Sequence, residues 1–308
     1  MSAKHVRKAF VAAILAATTF AATPAHAAAL CAPHIVQHFD LGKGQTPEGI
    51  VLSPNGTAYV TFAKARQIAE ISPRGEVRIL ATLPAPADGG TGTPALGFPL
   101  TVASDGTLYF LYATGTADLT GVWSLRPGGT PRRIAPLPAD SLPNGLALDQ
   151  RTRTLYVADS TGAVWKVPTT GGATVWSSGQ ELKPNGFLGA NGLKLHDGAV
   201  WVTNLDRGTV LRIPLRSNGS AVEVVATGLT GIDDFAFTGR GDEIIAALDT
   251  VNEVALVRPN GRHEVVLTAA DGLQGPTSIA VRGRTVYVPS AAYLTAQDPN
   301  LLLAHLGR

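Results

Sequence analysis

The stretch GIVLSPNGTAYVT, residues 49–61, decides the architecture. It reads as a short apolar strand, a Pro-Asn-Gly turn and a second strand in which apolar and polar residues alternate. The pattern returns as PLTVASDGTLYFL from Pro99, GLALDQRTRTLYVA from Gly145, GLKLHDGAVWVTN from Gly192, DFAFTGRGDEIIAA from Asp234 and SIAVRGRTVYVPS from Ser278. After each of the first five comes another strand pair, such as AVWKVP and ATVWSS between Ala163 and Ser178, so a full unit has four strands. The residues entering the first strands are Glu48, Phe98, Asn144, Asn191, Asp233 and Thr277, spaced 50, 46, 47, 42 and 44 apart. That period fits propeller blades and is too long for most solenoid repeats.

Six such units predict an all-β fold, a six-bladed β-propeller. The sixth unit offers only SIAV, TVYVPSA and NLLLAHL (Asn300 to Leu306) and lacks its fourth strand. The mature N-terminal strand IVQHFDL (Ile35 to Leu41) is expected to pair beside the last one, closing the ring and hiding edges that an open sheet would expose. A β-sandwich is the competing reading; the regular period and the missing final strand argue against it.

The 308 residues are 45% hydrophobic and 16% charged, with 34 Gly and 21 Pro. Such a chain buries a core and turns often, which excludes disorder, collagen and a helical bundle. Residues 1–27 read as a secretory signal: Lys4, Arg7 and Lys8, an apolar run from Ala9 to Ala22, then Ala25-His26-Ala27. The run is shorter than the roughly 20 residues that span a bilayer. The mature chain, residues 28–308, is therefore expected to be one propeller domain, secreted or periplasmic, monomeric and without a membrane span. It keeps 22 basic and 23 acidic residues and no long basic run, which argues against nucleic acid. Cys31 is the single cysteine, so no internal disulfide can form.

In a propeller the first strand of each blade lines the central channel, so the six entering residues form a ring at one mouth. Five carry oxygen donors: Glu48, Asn144, Asn191, Asp233 and Thr277. Hard oxygens with net negative charge suit a divalent ion, Ca²⁺ before Mg²⁺, Mn²⁺ or Zn²⁺. Asn before Gly is also a turn signal, so Asn144 and Asn191 have a purely structural reading too. Of Asp233 and Asp234, one alone is expected to point inward. Asp159, Asn204 and Asp249 end second strands, where a short polar side chain can satisfy loop amides; Asn204 and, in the loop that follows it, Asp206 are the ones expected to touch a ligand.

These features resemble the family of gluconolactonase, senescence marker protein (regucalcin) and luciferin-regenerating enzyme. The match is carried by Glu48 in TPEGI, Asn144 in LPNGLALD followed by TLYVADS, and Asn191 in GANGLKL followed by AVWVTN. The resemblance implies a metal-dependent hydrolase acting on a lactone or related ester at the channel mouth, with Glu48 and Asn144 matching its metal ligands. Its second-blade Asn falls at Phe98 and its metal-binding base Asp falls at Asn191. Asn191 is expected to coordinate through its oxygen, and Asp233, one blade on, is added by topology as ligand or base. Phe98 offers no donor, and the Asn191 amide cannot accept a proton at neutral pH. The base therefore falls to Asp233 or, second, to Asp206 in the NLDRG loop. The alternative is a non-catalytic exported binding protein whose loop face holds a sugar, peptide or partner. No Ser sits in a nucleophile elbow, and His263-Glu264 lacks the second His of a zinc protease helix. Gly90-Thr91-Gly92 reads as loop.

Overall fold

A computed structural model describes residues 29–86 and 98–307; residues 1–27, expected to be a secretory signal, and Gly90-Thr91-Gly92 lie outside the described residues. Strand β1 covers Leu30–His38. Blade 1 is built from β2 (Pro47–Leu52), β3 (Ala58–Phe62), β4 (Gln67–Ile71) and β5 (Val77–Thr82). Blade 2 follows as β6 (Leu100–Val102), β7 (Leu108–Tyr112), β8 (Gly121–Leu125) and β9 (Arg132–Pro136). Blade 3 is β10 (Pro143–Asp149), β11 (Thr154–Asp159), β12 (Ala163–Pro168) and β13 (Thr174–Ser177). Blade 4 is β14 (Ala190–His196), β15 (Ala199–Asn204), β16 (Thr209–Pro214) and β17 (Glu223–Ala226). Blade 5 is β18 (Ile232–Phe237), β19 (Ile244–Leu248), β20 (Glu253–Val257) and β21 (His263–Leu267). The last sheet holds β22 (Ala280–Arg282), β23 (Thr285–Ser290) and β24 (Asn300–Leu306), with β1 as its outer strand.

All six sheets are antiparallel and four-stranded, and the β1–β24 pairing closes the ring as expected. The closing strand differs from the expected span: it begins at Leu30 and ends at His38. The cause is local. Register shifts at Cys31/His34 and Ile35/Gln37, with Ala32 at φ 52°, break the alternation that marks a strand in sequence. Beyond it, Phe39 turns into the core, and Asp40 caps a 3-10 turn by accepting from the Lys43 amide.

The core is a set of apolar wedges between neighbouring sheets. Phe98, fully buried, packs on Phe110 and Tyr112 with ring centroids 5.8 Å away in each case, filling the wedge between blades 1 and 2. Near the axis the blades meet backbone to backbone. A Cβ on Gly145 would lie 2.0 Å from the Asn191 carbonyl oxygen, and one on Gly192 would lie 2.7 Å from that of Asp233. Hydroxyls fasten the same layer: Thr61 donates to the Phe98 carbonyl (2.5 Å), Ser160 to Ala190 (2.9 Å), Thr203 to Asp233 (2.7 Å), and Thr277 across the ring closure to Pro47 (2.9 Å). Among the described residues no helix is long and apolar enough to cross a membrane.

Candidate functional site at the channel mouth

The first strands do not run straight into the channel. In blades 1, 3, 4 and 5 the pairing with the second strand shifts by one residue, between Pro47 and Ile50, Pro143 and Gly145, Ala190 and Leu193, and Ile232 and Phe235. Each shift is a bulge at the ring position, and a bulge re-aims the side chains it carries. The result is a narrow cavity of about 20 Å³, room for about one water-sized sphere. Glu48, Asn144, Asp233, Asp234, Lys194 and Thr277 are among its lining residues.

Blade 5 corrects one expectation. Asp233 and Asp234 both line the cavity, because the bulge faces them toward the axis together. Their partners differ. Asp234 is paired with Lys194 Nζ at 2.5 Å and accepts the Ser278 hydroxyl at 2.6 Å. Glu48 accepts the Tyr293 hydroxyl at 2.6 Å, and neither Glu48 nor Asp233 has an ion-pair partner among the described residues. Glu48 is partly open to the mouth, yet the channel walls surround its carboxyl, and this desolvation pushes it up to about 7 despite the Tyr293 bond. Burial, reinforced by Glu48, Asp249 and Asp234, raises Asp233 well above the carboxylate range. Tyr293 is raised well above the usual phenol value, first by burial and then by the Glu48 charge.

Asn191 lies just outside the cavity lining, is 1% exposed, and leaves both amide atoms without a hydrogen bond. Its amide comes near enough to the Asp233 carboxyl to favour the ionised form there, the one neighbour that does, without meeting the geometry of a hydrogen bond. A buried amide with neither atom paired costs free energy and marks a place where a partner belongs. Phe98 points into the core, in accord with its having no donor. Thr277 spends its hydroxyl on ring closure.

Asp206 stands apart from this group. Its Oδ2 accepts the amides of Asn185 (2.9 Å) and Phe187 (2.7 Å), shaping the loop before β14. Asn204 donates to the Glu181 and Lys183 carbonyls and accepts from the Arg207 amide, and Asp159 accepts from Leu142, Thr161 and Trp165. Both are loop anchors. Asp249 is different: the pairing puts Leu248, not Asp249, opposite Ile232, at the place that Asp159 and Asn204 hold in their blades. Asp249 is shifted one residue on, and its carboxyl, raised to about 6 by desolvation, has no hydrogen bond among the described residues.

In each of blades 4 to 6 the loop entering the first strand is bonded to the loop leaving the second, through Leu205 N to Gly189 O (3.1 Å), Asp249 N to Gly231 O (3.0 Å) and Ala291 N to Gly275 O (2.9 Å). They carry Phe187 (64% exposed), Val251 (41%) and Leu294 (72%). The other exposed large apolar residues of the described chain, such as Val175 and Val224, sit on outer strands. The face on which the polar cavity opens thus also carries three exposed apolar side chains.

Two residues of the site, Tyr293 and Lys194, escape the sequence reading. Tyr293 belongs to the β23–β24 connection, which is longer than the corresponding connections of the other blades, so it has no equivalent position in the repeat. Lys194 lies at an inward position of β14 that the pattern marks only as polar. Among the described residues no three His, Cys, Asp or Glu side chains stand together so as to hold a metal by themselves. A cation here would have to draw on amide oxygens as well as Glu48 and Asp233. The donor set fits a hard divalent ion: Lys194 neutralises Asp234, leaving two uncompensated carboxylates beside the unpaired Asn191 amide.

No protein-family model matches the chain, and no curated protein matches its sequence. Solved structures do share its fold. A calcium-binding regucalcin from Agrobacterium tumefaciens is 17% identical at a TM-score of 0.63, over 89% of this chain and 94% of that one. A putative gluconolactonase is likewise 17% identical at 0.63, over 92% and 94%. A catalytically inactive virginiamycin B lyase from Staphylococcus aureus, solved with quinupristin, is 15% identical at 0.62, over 89% and 100%. The fold is thus like that of gluconolactonase and regucalcin structures, and like that of a lyase as well, which is why fold alone does not assign a reaction.

Proposed function

We propose that the protein is an exported, gluconolactonase-like hydrolase of a lactone or related ester, with a divalent cation, Ca²⁺ foremost, at the channel mouth. The observation that carries this reading is the pair of carboxylates without counter-ion on the channel wall, Glu48 and Asp233, with the buried Asn191 amide turned to Asp233 short of hydrogen-bond geometry. Glu48, Asn144, Asn191 and Asp233 would hold the ion. When bound, it would supply Lewis acidity toward a carbonyl oxygen.

The chain's own residues do the rest. Tyr293 fixes Glu48 by its 2.6 Å bond. Asp233, ionised once its charge is offset, accepts a proton from water as the water oxygen bonds to the carbonyl carbon. The ring C–O bond then breaks and the leaving oxygen takes up a proton. The cavity has room for little beyond the attacking water, so the body of the substrate lies across the loop face. Phe187, Val251 and Leu294 suit an ester with an apolar portion. The same face also supports the second reading, a non-catalytic binding protein for a small amphiphilic molecule.

The test is hydrolysis of a γ-lactone series followed by proton release, with and without chelator. Turnover that vanishes with chelator and returns with Ca²⁺ supports the proposal. No turnover with any of Ca²⁺, Mg²⁺, Mn²⁺ or Zn²⁺, together with retained binding of the same lactones, favours the binding protein.

A further inference from the structure

Blade 5 lacks a glycine that three other blades have. The ring residue is followed by Gly49 in blade 1, Gly145 in blade 3 and Gly192 in blade 4. At each of them the next blade stands where a Cβ would go: 2.9 Å from Pro99 Cα, 2.0 Å from the Asn191 carbonyl oxygen and 2.6 Å from Asp234 Oδ1. In blade 5 the same place holds Asp234, a buried carboxylate on the cavity wall. The fold closes this layer with glycine elsewhere, and a buried ion pair is on balance no more stabilising than well-packed neutral residues. Packing therefore does not account for Asp234.

Its bonds do. The pairing of β18 with β19 breaks off at Ile232 and resumes at Phe235, so Asp233 and Asp234 form the bulge between. Side chains from the blades on either side grip both residues. From blade 4, Lys194 Nζ reaches Asp234 Oδ1 at 2.5 Å and the Thr203 hydroxyl donates to the Asp233 carbonyl at 2.7 Å. From blade 6, the Ser278 hydroxyl donates to Asp234 Oδ2 at 2.6 Å. The Lys194 ammonium also lies 5.7 Å from the centroid of the Phe235 ring, and it is the one cation among the described residues of the cavity wall. Asp234 thus has one oxygen tied to each neighbouring blade. A bulge sets the direction of the side chains it carries, and the planar peptide unit joining its two residues passes the constraint on Asp234 to Asp233.

We propose that Lys194 and Ser278, acting through Asp234, are positioning residues for Asp233: a clamp drawn from three blades holds the blade 5 bulge so that the Asp233 carboxyl faces the cavity. The inference rests on the role given to Asp233 above and adds to it two residues that act through a third. Every contact of the clamp is made within the chain.

The test joins crystal structures to hydrolysis of γ-butyrolactone, on the full mature chain, for wild type, Lys194→Met, Ser278→Ala and, as a control for stability, Thr238→Ala. Thr238 donates to Glu243 (3.0 Å) at the far end of β18, away from the bulge. A misplacement of about 1 Å costs on the order of a hundredfold in rate. In Lys194→Met we expect the Asp233 carboxyl to move by about that much and kcat to fall accordingly, with KM within about threefold. Ser278→Ala should change both in the same direction and by less, and it decides the matter should Lys194→Met fail to fold. Thr238→Ala should lose melting temperature and keep kcat. An Asp233 carboxyl that stays within about 0.5 Å of its wild-type place in both clamp variants overturns the inference. A displaced carboxyl with unchanged kcat upholds the clamp and removes Asp233 as the base. A wild type without turnover overturns the proposed reaction, while the crystal structures still decide the clamp.

Discussion

Replacing Glu48 by Gln in the metal-free protein should stabilise it at pH 8 and not at pH 4. The Glu48 carboxyl moves from an ordinary 4.5 to about 7 on folding, because the channel desolvates it and Asp249 and Asp234 repel its charge. The folded state therefore binds the proton more tightly than the unfolded one. Stability from this group is present in full below pH 4.5 and is lost as pH rises through 7. At about 1.4 kcal/mol per pH unit, the loss reaches about 3 kcal/mol, an upper figure because water enters from the mouth. For a chain of this size that is about 5 °C in Tm. Gln keeps the shape and an oxygen for the Tyr293 hydroxyl but carries no charge to bury.

Calorimetric scans in chelator at pH 4 and pH 8 read this directly. The wild type should lose about 5 °C of Tm, relative to Glu48→Gln, between the two. In Ca²⁺ at pH 8 the order should reverse, since the variant forfeits a ligand and with it the stabilisation that ion binding lends the native state. A variant equally destabilised at both pH values, or one that gains as much from Ca²⁺ as the wild type does, would refute the reasoning.

The remaining predictions concern neighbouring groups. Asp206→Ala removes the acceptor of two loop amides and should cost about 2 kcal/mol, read by chemical denaturation, with short-chain lactone turnover kept within about threefold; a hundredfold loss would move the base to Asp206. Gly145→Ala would force a Cβ onto the Asn191 carbonyl and should cost about 3 kcal/mol or prevent folding, seen as loss of soluble yield or of Tm. Replacing Phe187 and Leu294 by Ser should flatten the rise of kcat/KM with the alkyl length of the lactone and leave the shortest substrate unaffected; an unchanged slope would remove these side chains from substrate binding.

The ring was legible because it rests on a repeat: each first strand begins at the same place in a period that residues 49–61 already set. The bulges were not legible. They decide that Asp233 and Asp234 face the channel together, and they depend on backbone pairing between strands whose hairpins differ in length. Hairpin length also hid Asp249, which looks like Asp159 and Asn204 in sequence but stands one residue out of their register. Phe98 could be excluded as a ligand from its chemistry alone; that it fills a wedge between blades required the structure. Tyr293 comes from the extra length of one connection, β23–β24, so no periodic argument reaches it.

The pairing of β1 with β24 sets an order of assembly. Five blades are made from neighbours in sequence and can each form as soon as their own strands exist. The sixth must wait for Asn300–Leu306 to meet a strand laid down at Leu30–His38. Closing an unstructured chain of that length costs roughly 5 kcal/mol in entropy, a charge that falls as the intervening blades fold and shorten the gap. Glu48 stands in the blade next to the seam, and Tyr293, its partner, stands in the seam blade itself. The channel-mouth centre is thus completed only when the ring is, so a chain that has lost its last strand should hold five blades of native-like sheet and no working site.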